Sequence, residues 1–151
     1  MVPGEGGGSG ATRTIFFYGL FMDRSLLVGK GLRPEVVGPA VLPDYRIHIG
    51  DRATLLRSPS SRAYGIVMAL SDAEARSLYD EPSVRAYVPE PVRVELLDTS
   101  EAVEAVCYNL PPESALAGAN PGYATALSEL LAALDFDPAY VREVAAFGEP
   151  S

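Results

Sequence analysis

The apolar positions along this chain switch period several times, and the switches mark its elements. Ile15-Phe-Phe-Tyr18 is a continuous apolar run that breaks at Gly19, the pattern of a strand buried on both faces. Asp23 can cap a short helix from Asp23 to Val28, with Gly29 and Gly31 ending it. From Val36 to Gly50 the chain reads as extended. Tyr45, Ile47 and Ile49 alternate there with Arg46 and His48, and Pro39 and Pro43 mark bends or an edge. Ala53 to Arg57 is a weaker strand signal, followed by a turn at Ser58-Pro-Ser-Ser61. Ala63 to Leu70 is apolar or small on both faces, which predicts a central strand.

Ser71-Asp-Ala-Glu74 forms a capping-box signature for a helix running to about Tyr79, before Pro82. Tyr87 to Leu97 is a long strand bent at Pro89 and Pro91, with Val92, Val94 and Leu96 on its core face. Ala102 to Leu110 alternates so as to pair with it, and Pro111 to Gly118 reads as a loop. Two helices follow. Asn120-Pro121 and Asp137-Pro138 each give a cap and then a proline at the first helical position. Strands with short helices, closed by two helices, predict an α+β fold with an antiparallel, barrel-like sheet.

Residues Met1 to Ala11 are rich in Gly and Ser and lack apolar periodicity, so a flexible tail is expected before a single domain over 12–148. The 151 residues suit one core, and 48% hydrophobic with 21% charged residues is an ordinary globular composition. A net charge of −8 argues against nucleic acid or an anionic membrane surface as partner. The single cysteine, Cys107, allows no internal disulfide, and a reducing, cytoplasmic setting fits. Lys30 is the only lysine and His48 the only histidine. His48 lies on the polar side of its strand without acidic neighbours, so neither a metal site nor a catalytic triad is expected from it. Cys107, between Val106 and Tyr108, reads as a buried thiol.

One stretch carries candidate chemistry. Where the first strand ends, Tyr18-Gly19-Leu20-Phe21-Met22 runs through a glycine turn towards a helix. Such a turn leaves backbone N–H groups able to hold a carboxylate or a polarised carbonyl oxygen.

Three segments together resemble the gamma-glutamylcyclotransferase-like family. They are Phe16-Phe-Tyr18-Gly19-Leu20; the block from Ala63 through the capped helix to Glu81, Tyr87 and the Val92–Leu96 strand; and Asn120-Pro121-Gly122-Tyr123 with Asp137-Pro138-Ala139-Tyr140. The resemblance spans Thr14 to Phe147. This chain departs from the family pattern at Leu20, where the family has Ser or Thr, at Pro82, where it has Gly, and at Gly122.

The resemblance implies a small mixed or antiparallel β-barrel of about five to seven strands. It also implies one cavity and a cofactor-independent, cyclotransferase-type reaction on a gamma-glutamyl amide. Glu81, with Asp80 as its rival, would shuttle the proton. A Glu81 that faced the cavity would have its carboxylate pKa raised by desolvation. Tyr18, Gly19, Leu20 and Phe21 would hold the substrate, with Tyr87 and Tyr123 lining the cavity. The products would be 5-oxoproline and an amine or amino acid, and the protein a monomer or homodimer. The alternative is a noncatalytic member that binds a small ligand or a partner protein. Arg85 and Arg93 are further cations able to meet a substrate carboxylate.

Overall fold

The structure, a computed structural model, describes residues 11–82 and 84–148, so the expected tail over 1–10 lies outside the described residues. Its strands are β1 (Thr12–Phe17), β2 (Glu35–Ile49), β3 (Ala53–Ser71), β4 (Val88–Leu96) and β5 (Ala102–Asn109). They close into a barrel in the order β1-β3-β2-β4-β5. All neighbours run antiparallel except β1 and β5, which pair in parallel at Ile15 and Val106. The fold is therefore the small α+β barrel that is expected, mixed and not wholly antiparallel because β1 and β5 run parallel.

Its helices are α1 (Arg24–Gly29), α2 (Asp72–Leu78), α3 (Pro112–Ala115), α4 (Pro121–Ala133) and α5 (Pro138–Ala145). The caps follow the sequence. Asp23, Asn120 and Asp137 each accept from a backbone N–H in the first turn of their helix. At α2 the box is complete: Ser71 Oγ accepts from Glu74 N–H at 3.0 Å, and Glu74 returns a bond to Ser71 N–H at 3.0 Å. Accepting from the backbone N–H of Ser71, and from that of Arg33 at 2.8 Å, holds the Glu74 carboxyl below its ordinary value of 4.5.

Burial explains the unbroken apolar runs. Ile15, Phe16 and Phe17 of β1 are all buried, as are Ala63 to Met68 of β3. Tyr64 of β3 meets the C-terminal helices, with its ring 4.9 Å from Tyr140 and 6.1 Å from Phe136. Gly65 faces β1 so closely that a Cβ would collide with the Phe17 carbonyl oxygen and press on the Phe16 ring.

Two segments differ from the sequence reading. Ser58–Ser61 is not a turn between strands but part of the continuous 19-residue β3. Arg57 pairs with Tyr45 and Arg62 with Pro43, so residues 58–61 stand opposite Asp44 alone. The mismatch is absorbed by left-handed backbone at Asp44 and Ser60, φ 65° and 71°, and by Asp44 Oδ1 accepting from Ser60 N–H at 3.1 Å. The residues have turn chemistry, but they spend it on a bulge. Likewise Pro112–Ala115 forms a short helix where a loop is expected, with proline at its first position.

Two stability results are expected. Overpacking at a backbone contact costs about 1–3 kcal/mol, so Gly65→Ala should lower the urea midpoint by that equivalent. Gly29→Ala, with open space around its Cβ, should leave the midpoint unchanged or raised. The second concerns acid. A carboxyl whose folded pKa is depressed adds stability above its unfolded value and loses it as pH falls through the folded one. The stability difference between the wild type and Glu74→Ala should therefore shrink as pH drops below 4.5. A gap that widens in acid would contradict this.

Candidate functional site

At the end of β1 the chain leaves the barrel wall through Tyr18. Gly19 is extended, φ −110° and ψ −156°, and leads a single 3-10 turn over Leu20–Met22. Met22 N–H closes this turn onto the Gly19 carbonyl at 3.0 Å. Tyr123, in the first turn of α4, lies directly over it. Its hydroxyl accepts from Leu20 N–H at 3.3 Å, and a Cβ on Gly19 would stand 2.5 Å from that hydroxyl oxygen. Gly19 is thus required by close approach, not by a left-handed backbone. Asn120 fixes α4 in place: Oδ1 accepts from Tyr123 N–H at 3.0 Å, and Nδ2 donates to the Asp51 carbonyl at 3.2 Å.

In front of this turn lies a cavity of about 630 Å³, within the range that holds small-molecule ligands. Tyr18, Gly19, Leu20, Phe21, Tyr87 and Tyr123 all line it. So do Tyr79 and Tyr108, which sequence periodicity does not single out. Their rings stack 3.6 Å apart and 10° from parallel, and Phe21 meets Tyr79 edge-on.

The aromatic wall is anchored from behind. Arg13 donates to the Tyr108 hydroxyl at 2.5 Å and to Asp72 at 2.6 Å. The Tyr18 hydroxyl lies 2.6 Å from the Tyr108 carbonyl and 2.9 Å from Asn109 Oδ1. Asn109 also accepts from Leu55 N–H at 3.1 Å and donates to Glu90 at 3.0 Å, so a buried polar chain ties three strands behind the cavity. The Tyr87 hydroxyl donates to the Ala53 carbonyl at 2.5 Å. Burial raises the pKa of Tyr18, Tyr79, Tyr87 and Tyr123, which therefore act as neutral hydrogen-bonding groups and not as bases.

Charges are few here. Glu81 is not in the cavity wall itself. Its carboxylate grips Lys30, which is, with Nζ 2.8 and 2.9 Å from the two oxygens; both side chains are about a third exposed, 35% and 34%. Lys30 Nζ also stands 5.9 Å from the centre of the Phe21 ring. Glu81 thus sits one salt bridge from the cavity, not desolvated inside it. The rival Asp80 is 81% exposed beside Arg85. Arg85 and Arg93 lie outside the cavity, Arg93 paired with Glu104 at 2.8 Å. Arg52 lines the cavity with its guanidinium 5.8 Å from the Tyr87 ring centre. His48 packs edge-on against Phe147, and burial lowers its pKa. Cys107 is fully buried, and burial pushes its thiol up to about 12.

The molecule is thus a small barrel whose cavity opens at a Tyr-Gly turn, with Asp51, Lys30 and Arg52 in its wall and Glu81 held on Lys30 at its edge. The model of the "Gamma-glutamyl cyclotransferase, AIG2-like" family matches residues 15–126, and the chain belongs to that family. No curated protein matches the sequence. Among solved structures, one named gamma-glutamyl cyclotransferase superposes with a TM-score of 0.74 at 16% identity, over 93% of this chain and 89% of its own. An uncharacterized human protein gives 0.71 at 18% identity, over 93% and 89%. A yeast gamma-glutamyl cyclotransferase specific to glutathione gives 0.57 at 12%, over 91% and 96%. At these identities the likeness establishes the fold. Among the described residues no helix is long and apolar enough to cross a membrane.

The contact between Gly19 and Tyr123 yields a double-mutant test. Gly19→Ala should destabilise the wild type by about 1–3 kcal/mol, as overpacking does. In a Tyr123→Phe background the same change should be nearly silent, because the next ring atom lies 3.8 Å from the added Cβ. Equal costs in both backgrounds would show that the hydroxyl does not set the requirement for glycine.

Proposed function

We propose that this protein is a cyclotransferase acting on a gamma-glutamyl amide. The observation that carries the proposal is the Glu81–Lys30 pair: at the cavity edge, a carboxylate from the segment after α2 already holds an ammonium group. The substrate's α-ammonium brings the same charge to the same place. Family membership and the Tyr18–Phe21 turn in the cavity wall support the reading.

The reaction needs little equipment, because both reacting groups belong to one substrate. Folding the glutamyl chain so that its α-amine approaches its own γ-carbonyl supplies most of the advantage. Glu81 takes a proton from the α-ammonium. The freed amine attacks the γ-carbon and the carbonyl oxygen becomes an oxyanion. The C–N bond to the leaving amine then breaks as Glu81 returns the proton to that nitrogen, and the ring nitrogen gives up its extra proton to the departing amine, which leaves as an ammonium. A five-membered ring forms, 5-oxoproline and an amine or amino acid depart, and no water or cofactor is consumed. Backbone N–H groups of the Tyr18–Phe21 stretch stabilise the oxyanion, Met22 N–H being taken by the Gly19 carbonyl. Leu20 carries no hydroxyl for this task, and its N–H is held by Tyr123 until a ligand oxygen replaces the 3.3 Å contact. Lys30 keeps the Glu81 carboxylate at the cavity edge in the empty state.

The test is a panel of gamma-glutamyl amino acids and amines assayed for 5-oxoproline. Turnover is expected, and Glu81→Gln should lose about 10²-fold or more in kcat while its melting temperature stays near wild type. No product from any panel member, or a fully active Glu81→Gln, would remove cyclisation and leave a ligand-binding member of the family.

A further inference from the structure

Among the described residues, Arg52 is a cation of the cavity wall without a carboxylate partner. It follows Gly50 and Asp51 in the connection between β2 and β3, is half-buried, and lies over the ring of Tyr87. Among the described residues it enters no ion pair, whereas Lys30, the other cation lining the cavity, is held by Glu81. Asp51 does not take it either: a Cβ on Gly118 would collide with the Asp51 carboxylate, so that side chain is packed against the loop before α4.

The support beneath Arg52 is rigid. Asp51 N–H donates to the Ala117 carbonyl at 2.7 Å, and the Asp51 carbonyl accepts from Asn120 at 3.2 Å. The Arg52 carbonyl accepts from Gly50 N–H at 3.2 Å. Tyr87, on which the guanidinium rests, is itself fastened to Ala53 at 2.5 Å. A guanidinium held over a ring, facing a largely apolar cavity, keeps several N–H donors free for a planar anion. Its fork matches a carboxylate in two parallel hydrogen bonds.

We infer that Arg52 binds a carboxylate of the ligand. On the cyclotransferase reading, on which this assignment rests, the glutamyl head lies at the Tyr18–Phe21 turn beside Lys30 and Glu81. The carboxylate at Arg52 is then that of the departing amino acid. The apolar wall around Arg52, Tyr87 and Val84 receives that amino acid's side chain. The substrate class is gamma-glutamyl derivatives of apolar or aromatic amino acids, in preference to gamma-glutamyl amides of amines that lack a carboxylate.

The experiment uses two probes without a glutamyl group, N-acetylphenylalanine and N-acetylphenylalaninamide, titrated into the full-length protein by calorimetry. Neither probe can cyclise, so the measurement reads the anion site whatever the reaction proves to be. A charge-assisted pair should make the acid bind about tenfold more tightly than the amide. Arg52→Gln should abolish that preference with an unchanged melting temperature, while Arg93→Gln, on the exposed barrel surface, should keep it. Equal affinity for the two probes, binding of neither, or a preference surviving in Arg52→Gln would each overturn the assignment. A kinetic arm locates the carboxylate. The KM advantage of gamma-glutamylphenylalanine over gamma-glutamylphenethylamide should vanish in Arg52→Gln. A KM raised equally for both would assign Arg52 to the glutamyl α-carboxylate and overturn the substrate class. Absence of 5-oxoproline with the probe preference intact would count against cyclisation alone.

Discussion

The site depends on the parallel pairing of β1 with β5. Every other neighbouring pair of strands is antiparallel, and without Ile15 against Val106 the sheet would stay open. Closure places β1 between β3 and β5 and buries all three residues of its Ile15–Phe17 run. It also fixes where the chain must leave the wall. That exit, at Tyr18, sets the turn that faces the cavity, and the same closure brings Tyr108 and Asn109 of β5 behind Tyr18. One strand pairing therefore sets both the front and the back of the site.

The elements were legible because the sequence speaks clearly about local structure. Caps at Asp23, Ser71, Asn120 and Asp137, each followed by a helix, involve residues within a few positions of each other. The two-faced burial of β1 and β3 could be read from unbroken apolar runs. The bulge at Ser58–Ser61 could not. Its residues have genuine turn chemistry, and only their register against Asp44 reveals that the strand continues through them.

The candidate site divides in the same way. Tyr18 to Phe21 are legible as a local motif, and Tyr87 and Tyr123 through resemblance to a family. Nothing in the sequence ties Lys30, Arg52, Tyr79 or Tyr108 to the cavity, because each gains its place there from a partner distant in the chain. Lys30 meets Glu81, Tyr79 meets Tyr108, and Tyr108 meets Arg13 across 95 positions. Asn109 likewise looks like an ordinary polar strand residue until its bonds to Tyr18, Leu55 and Glu90 are seen. Long-range pairing of polar groups leaves no periodic trace in a sequence.

The position of Lys30 has a practical side. It is the only lysine, so its side chain carries the only ε-amine in the chain, and that amine lies at the cavity edge. Crosslinkers, amine-coupled sensor surfaces and acylating labels that spare the N-terminus have one place to react. Attachment through that nitrogen would remove its positive charge, release Glu81 and obstruct the cavity mouth in a single step. Protein immobilised this way would behave as a blocked form, and attachment through either chain terminus would avoid the artefact.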